Sequence, residues 1–190
     1  MPHLYLIAGP NGAGKTTASL TILPEVLHCR EFVNADSIAA GLSPLNPESV
    51  AVEAGRLMLQ RIRVLLGQRV DFALETTLST KSYAGLVRDA QAAGYEVVLL
   101  FFYLSSPELA KERVRNRVAQ GGHSIPEATI ERRYERGLGN LFNVFLPLVN
   151  RWYFYDNSGN SPGLVASPDR FEPWSVNRWE ALKKRYERVG

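Results

Sequence analysis

Short apolar runs alternate along the chain with longer stretches of amphipathic periodicity. HLYLIA (3–8) reads as a short buried strand, and REFVNAD (30–36) as a second strand whose end turns polar. DFALET (71–76) and RWYFYD (151–156) are further strands, while YEVVLLFFYL (95–104) is apolar throughout, the pattern of a strand covered on both faces. Helical stretches lie between them. One follows a glycine-rich loop. A second is opened by Asn46-Pro47-Glu48 and runs to about Gly67, with Pro47 at the first helical position. Ser79 to Ala93 is a third, stopped by Gly94; Ser106-Pro107-Glu108 opens a fourth that ends at Gly121-Gly122, and a fifth starts near Pro126. This alternation predicts an α/β fold: a doubly wound, mainly parallel five-stranded sheet with helices on both faces. The proline-punctuated tail (161–190) predicts a small hairpin and a last helix over 176–188. With no repeat, low-complexity tract or linker, a single domain over 1–190 is expected.

Composition narrows the class. A chain of 190 residues, 45% hydrophobic and 22% charged, suits one globular core. Its one cysteine, Cys29, excludes an internal disulfide and fits a reducing cytoplasm. The start MPHLYLIAGP lacks the basic flank and apolar core of a signal peptide, and no apolar run nears about 18 residues. The expectation is a soluble, cytoplasmic protein with no membrane partner. Net charge is only +3, but seventeen arginines stand against five lysines. Arginine forks match phosphate oxygens, so the balance favours a small anionic ligand over a long nucleic acid.

The glycine-rich loop gives that ligand a shape. Gly9-Pro10-Asn11-Gly12-Ala13-Gly14-Lys15-Thr16 fits GxxxxGK[ST], directly after a strand and directly before a helix, with Thr17 next. Its glycines let backbone N–H groups turn inward around a β-phosphate, and the helix N-terminus adds its positive dipole end. Lys15 is placed to bridge β- and γ-phosphates, and the Thr16 hydroxyl to ligate Mg²⁺. The chain thus reads as a P-loop NTPase taking ATP and Mg²⁺. No NKxD guanine motif is present, and the DxxG at Asp156-Asn157-Ser158-Gly159 comes too late to sense a γ-phosphate.

Other residues suggest a second ligand. Asp36, Glu75 and Asp156 each end a predicted strand, on the edge where open α/β sheets bind ligands. An acceptor hydroxyl needs a carboxylate for its proton, in line with the γ-phosphate, and Asp36 can supply it; an aspartate there is equally a preferred N-cap. Arg113, Arg115, Arg117, Arg132, Arg133 and Arg136 flank Gly121-Gly122-His123-Ser124-Ile125-Pro126 on two helices. They read either as a solvated face or as a lid (about 113–137) hinged at the glycine pair, bringing arginines to a transferring phosphoryl group. His123 reads as a loop residue rather than a base or ligand. Asn157, after the last strand, could read the adenine edge or belong to an ordinary Asx turn.

GPNGAGKTT, FVNADSIAAGLSP, FALETTLST, RVAQGGHSIPEATIERRYERGL and YDNSG, in that order, resemble the zeta toxin family of P-loop kinases over roughly residues 3 to 160. The resemblance implies ATP-dependent phosphorylation of a small-molecule hydroxyl, with UDP-N-acetylglucosamine as the acceptor of the best-known members and an antitoxin as a candidate partner. By position, it implies that Asp36 is the catalytic base and that Glu75 and Thr77 contact the acceptor. It also implies that Arg117 with Arg133 or Arg136 meets the γ-phosphate. The chain departs from the sugar-nucleotide toxins at Ala39 and Ser79, where those tend to carry arginine, and it is shorter. A nucleoside or nucleic-acid-end kinase, and a nucleotide-binding regulator without transfer, are the alternatives; intact Lys15, Thr16 and Asp36 argue against lost chemistry.

Overall fold

A computed structural model describes residues 1–122, 124–172 and 176–187. Five parallel strands form its centre, in the order β2 (Glu31–Val33), β3 (Phe72–Thr76), β1 (His3–Ala8), β4 (Glu96–Tyr103), β5 (Arg151–Asp156). The strand feeding the P-loop is therefore central, paired with β3 on one side and β4 on the other. The tail adds two antiparallel strands beyond β5, β6 (Gly163–Ser167) and β7 (Arg170–Phe171), making seven where the apolar pattern predicts five. A register shift between Phe154 and Tyr155 marks where the tail hairpin joins the sheet. Such strands are too short to show a clear period of their own.

Helices cover both faces. The P-loop runs into α1 (Lys15–Thr21), which widens by a turn over Ile22–Val26, where Pro24 has no N–H to offer. β2 leads into α2 (Ala35–Leu42), and a single tight turn over Pro47–Val50 precedes α3 (Ala51–Gln68). α3 buries Ala54, Met58, Ile62 and Leu65, one face at three- and four-residue spacing. α4 (Tyr83–Ala92) stops before Gly94, whose φ of +83° suits glycine. α5 (Pro107–Ala119) opens on Ser106, which accepts from the Leu109 amide at 3.1 Å, with Pro107 at the first position.

The expected lid corresponds to α5 and α6 (Glu127–Asn140), and both are anchored. Ala110 and Val114 are buried on one helix, and Ile130, Tyr134 and Leu138 on the other; the Tyr134 hydroxyl donates to the Leu104 carbonyl at 2.7 Å. Last, α7 (Val176–Tyr186) lays Trp179 on Phe142, Trp152 and Phe154, each with ring centroids 5.2 Å away. Its side chains thus close the aromatic end of the core beside β5. No helix among the described residues is long and apolar enough to cross a membrane. His123, and residue 188 of the predicted last helix, lie outside the described residues.

Candidate active site

The P-loop adopts the left-handed backbone its glycines permit: Gly9, Gly12 and Gly14 have φ of +144°, +78° and +75°. Close approach reinforces the choice. A Cβ on Gly9 would collide with the Phe102 carbonyl of β4, and one on Gly12 would lie 2.9 Å from the Ala110 carbonyl of α5. Gly14 caps α1 with no side chain over the first amides, which leaves those donors for an anion. Asn157 supports the loop from behind. Its side-chain amide donates to the Ala13 carbonyl at 2.7 Å, and its backbone amide to the Tyr103 carbonyl at 2.9 Å. Arg113 in turn holds that support, donating to the carbonyls of Ser158 and Gly159 at 3.1 Å each.

A polar cluster gathers at the loop's mouth around Glu75. Its Oε2 accepts from the Thr16 hydroxyl and from the Asn34 amide, both at 2.7 Å, and its Oε1 lies 3.6 Å from Lys15 Nζ. Lys15 is only 6% exposed and also donates to the Pro10 carbonyl at 2.9 Å. Burial pushes the Lys15 ammonium below the usual lysine range, while Glu75 and Asp36 work to keep it charged.

Asp36 is not the helix cap. Asn34 is: its side-chain oxygen accepts from the Ser37 amide at 3.1 Å with the backbone extended, and Asp36 sits in the first turn of α2. Freed of capping, Asp36 is exposed and accepts no hydrogen bond from the described residues. It lies on the seam of three clefts. One, of about 440 Å³, is walled by the P-loop from Asn11 to Thr17, with Arg113 and Arg117. A second, of about 240 Å³, is walled by Asn34, Glu75, Thr77, Ser79, Tyr83 and Arg133. A third, of about 570 Å³, has a floor of Ala35, Ala39, Ala40 and Ala51 beside Arg132 and Arg133.

The loop carrying Thr77 is shaped by α6. The Thr77 hydroxyl donates to Ser79, and Asn140 donates to the Leu78 carbonyl at 2.7 Å. A Cβ on Gly137 would lie 2.6 Å from the Thr77 carbonyl, so glycine is what lets helix and loop meet. Leu78, fully buried, takes a φ of +53°, a conformation a leucine keeps only when its surroundings impose it.

The arginines separate by role in the fold. Arg117 faces the P-loop cleft, and Arg133 lines the second and third clefts. Arg115 pairs with Glu127 at 2.7 Å on the surface, and Arg136 is exposed and lines none of the three clefts. The glycine pair is a cap rather than a bare hinge. Gly122 donates to the Arg117 carbonyl at 2.9 Å and Gly121 to Val118 at 3.0 Å, with Gly121 at φ +88°, the two bonds of a Schellman ending to α5. Asp156 is also engaged: it accepts from the Ser158 amide at 2.9 Å and pairs with Arg178 of α7. It therefore does not join Asp36 and Glu75 in a three-acid site, because the turn after β5 and the tail helix take up both its oxygens. Sequence reasoning passed over Asn34, whose place three residues before Ser37 is an N-cap signal, and gave Arg113 no structural task.

Comparison with known proteins bears on the family and the fold. A Haemophilus influenzae protein named only as uncharacterized is 30% identical over 126 residues, covering 66% of this chain and 88% of that one. The structure is similar to one from the PezAT chromosomal toxin-antitoxin system of Streptococcus pneumoniae, with a TM-score of 0.69 and 19% identity over 98% of this chain and 79% of that one. It is also similar to AvrRxo1-ORF1:-ORF2 with ATP, with a TM-score of 0.77 and 17% identity; all of this chain is covered, but only 66% of that one. At such identities these two structures bear on the fold, a P-loop kinase-like α/β architecture. The Zeta toxin sequence pattern matches residues 1–145, about three quarters of the chain, and the chain belongs to the zeta toxin family of P-loop kinases.

Proposed function

We propose that the chain transfers the γ-phosphoryl group of ATP to a hydroxyl of a small molecule, a sugar nucleotide such as UDP-N-acetylglucosamine being the first acceptor to try. The observation that carries the reading is the place of Asp36: an exposed carboxylate with no hydrogen-bond donor among the described residues, where the P-loop cleft meets the cleft of Glu75, Thr77 and Arg133. In the reaction the acceptor oxygen bonds to the γ-phosphorus and the bond from that phosphorus to the bridging oxygen breaks. The hydroxyl proton passes to Asp36, and ADP leaves with the bridging oxygen. P-loop amides and Lys15 hold the β- and γ-phosphates, and Arg117 meets charge developing on the transferring group. Thr16 and Glu75 present hard oxygen atoms 2.7 Å apart at the loop's mouth, a donor set that suits Mg²⁺. Bound there, the ion would screen the phosphate charge.

The acceptor end is polar rather than strongly basic. Thr77, Ser79 and Tyr83 offer hydroxyls, and Ala39 leaves the third cleft floored by small apolar side chains. The deciding experiment is ATP consumption across metabolite pools, with UDP-N-acetylglucosamine included. Turnover stimulated by one pool supports the kinase; tight ATP binding with no stimulated turnover would favour a regulator. A cytoplasmic setting is supported by the lone, buried thiol of Cys29. An antitoxin partner is supported by the toxin-antitoxin origin of the pneumococcal structure.

The cap on α5 supplies a further prediction. Arg117→Ala should lower kcat by about 10³-fold or more while KM for ATP changes little. Gly122→Ala should move the same way by a smaller factor, since its Cβ would lie 2.6 Å from Arg117 Cγ and displace that side chain. Steady-state kinetics on both variants is the check. An unchanged kcat in both would return Arg117 to a surface role.

A further inference from the structure

The P-loop holds one side chain whose state its fold does not explain. Asn11 is 6% exposed, and its side-chain oxygen is buried with no hydrogen-bond partner among the described residues. A buried carbonyl left unpaired is costly, so a compensating interaction is to be sought. With Lys15 it is one of the two P-loop residues that line both the donor cleft and the acceptor cleft. The amide nitrogen is the end of the carboxamide not enclosed, so it is the end presented to those clefts.

We propose that Asn11 is a catalytic donor: its side-chain N–H bonds to an oxygen of the γ-phosphoryl group as that group crosses from the donor to the acceptor cleft. The assignment rests on the phosphoryl-transfer reading above and adds a residue to it. In nucleotide-bound ground states the P-loop amides and Lys15 already hold the β- and γ-oxygens. A donor at the seam, beside Asp36, meets the group only once it moves toward the acceptor. Its contribution is therefore selective for the transition state, as for oxyanion-hole donors, whose removal lowers kcat by about 10²–10³.

The test requires no knowledge of the acceptor. Binding of ADP with Mg²⁺, alone and with aluminium fluoride as a mimic of the phosphoryl group in flight, is measured by calorimetry on wild type, Asn11→Ala and Asn11→Asp. Wild type should bind ADP more tightly with aluminium fluoride than without. Asn11→Ala should lose about 10²-fold of that gain, keep its ADP and ATP affinities within about threefold, and melt no lower than wild type. Asn11→Asp, which has the same shape without the donor, should lose at least as much of the gain. If Asn11→Ala keeps the gain, or if its melting temperature and ATP affinity fall along with it, Asn11 only shapes the loop. If wild type itself shows no gain, it is the phosphoryl-transfer reading that falls.

Discussion

Lys15→Ala should leave a folded protein that binds ATP at least about tenfold more weakly and shows no measurable turnover. The physical reason is its isolation. Lys15 is the cation inside the P-loop, 6% exposed, and its ammonium lies between the Pro10 carbonyl and Glu75. Phosphates would replace those partners, and an alanine leaves the β/γ bridge without its charge. Burial also makes the site sensitive to pH. Because burial lowers the lysine's pKa in the nucleotide-free chain, the ammonium is lost as pH rises past that lowered value. ATP affinity of wild type should then weaken on the alkaline side, and this limb should be absent from Lys15→Ala. Titration of ATP against both proteins across pH is the measurement. Normal turnover by the alanine variant would overturn the P-loop assignment.

What sequence reading could reach, and what it could not, follows from how local each determinant is. Ser106-Pro107 and Gly94 act on their own helix ends, and both are read correctly from neighbouring residues. The P-loop is equally local: its glycines, lysine and threonine lie within eight positions. Glu75 differs, because its partners Thr16 and Asn34 lie 59 and 41 residues away and meet it only when β1, β2 and β3 pair side by side. Its three-way contact is a property of the sheet order, which the linear pattern leaves open. The glycine pair at 121–122 shows a different limit. Glycine signals a positive φ or a close approach, but only the bonds to Val118 and Arg117 identify the Schellman ending. Asp156 fails as a site residue for a similar reason, since Arg178, its partner, comes from the tail helix 22 residues on.

Asp36→Asn tests the chemistry itself, and the structure sharpens what the variant means. A residue at the start of a helix can act as cap, as base or as both, and a cap would couple its loss to stability. Here Asn34 makes the capping bond to Ser37, so replacing Asp36 removes none of it. Asparagine keeps the size of the side chain and cannot take the proton of an acceptor hydroxyl. A first-turn carboxylate also interacts favourably with the helix dipole, which at an exposed position contributes about 0.3–1 kcal/mol and sets the limit on any change in stability. The variant should therefore fold, bind ATP about as well as wild type, and transfer phosphoryl at least about 10²-fold more slowly. Since Asp36 also helps keep Lys15 charged, its loss should make the alkaline fall in ATP affinity begin at lower pH. Single-turnover transfer and an ATP titration across pH separate the two effects. Transfer near the normal rate would remove Asp36 as the base and leave Glu75 as the carboxylate to test, already held by Thr16, Asn34 and Lys15.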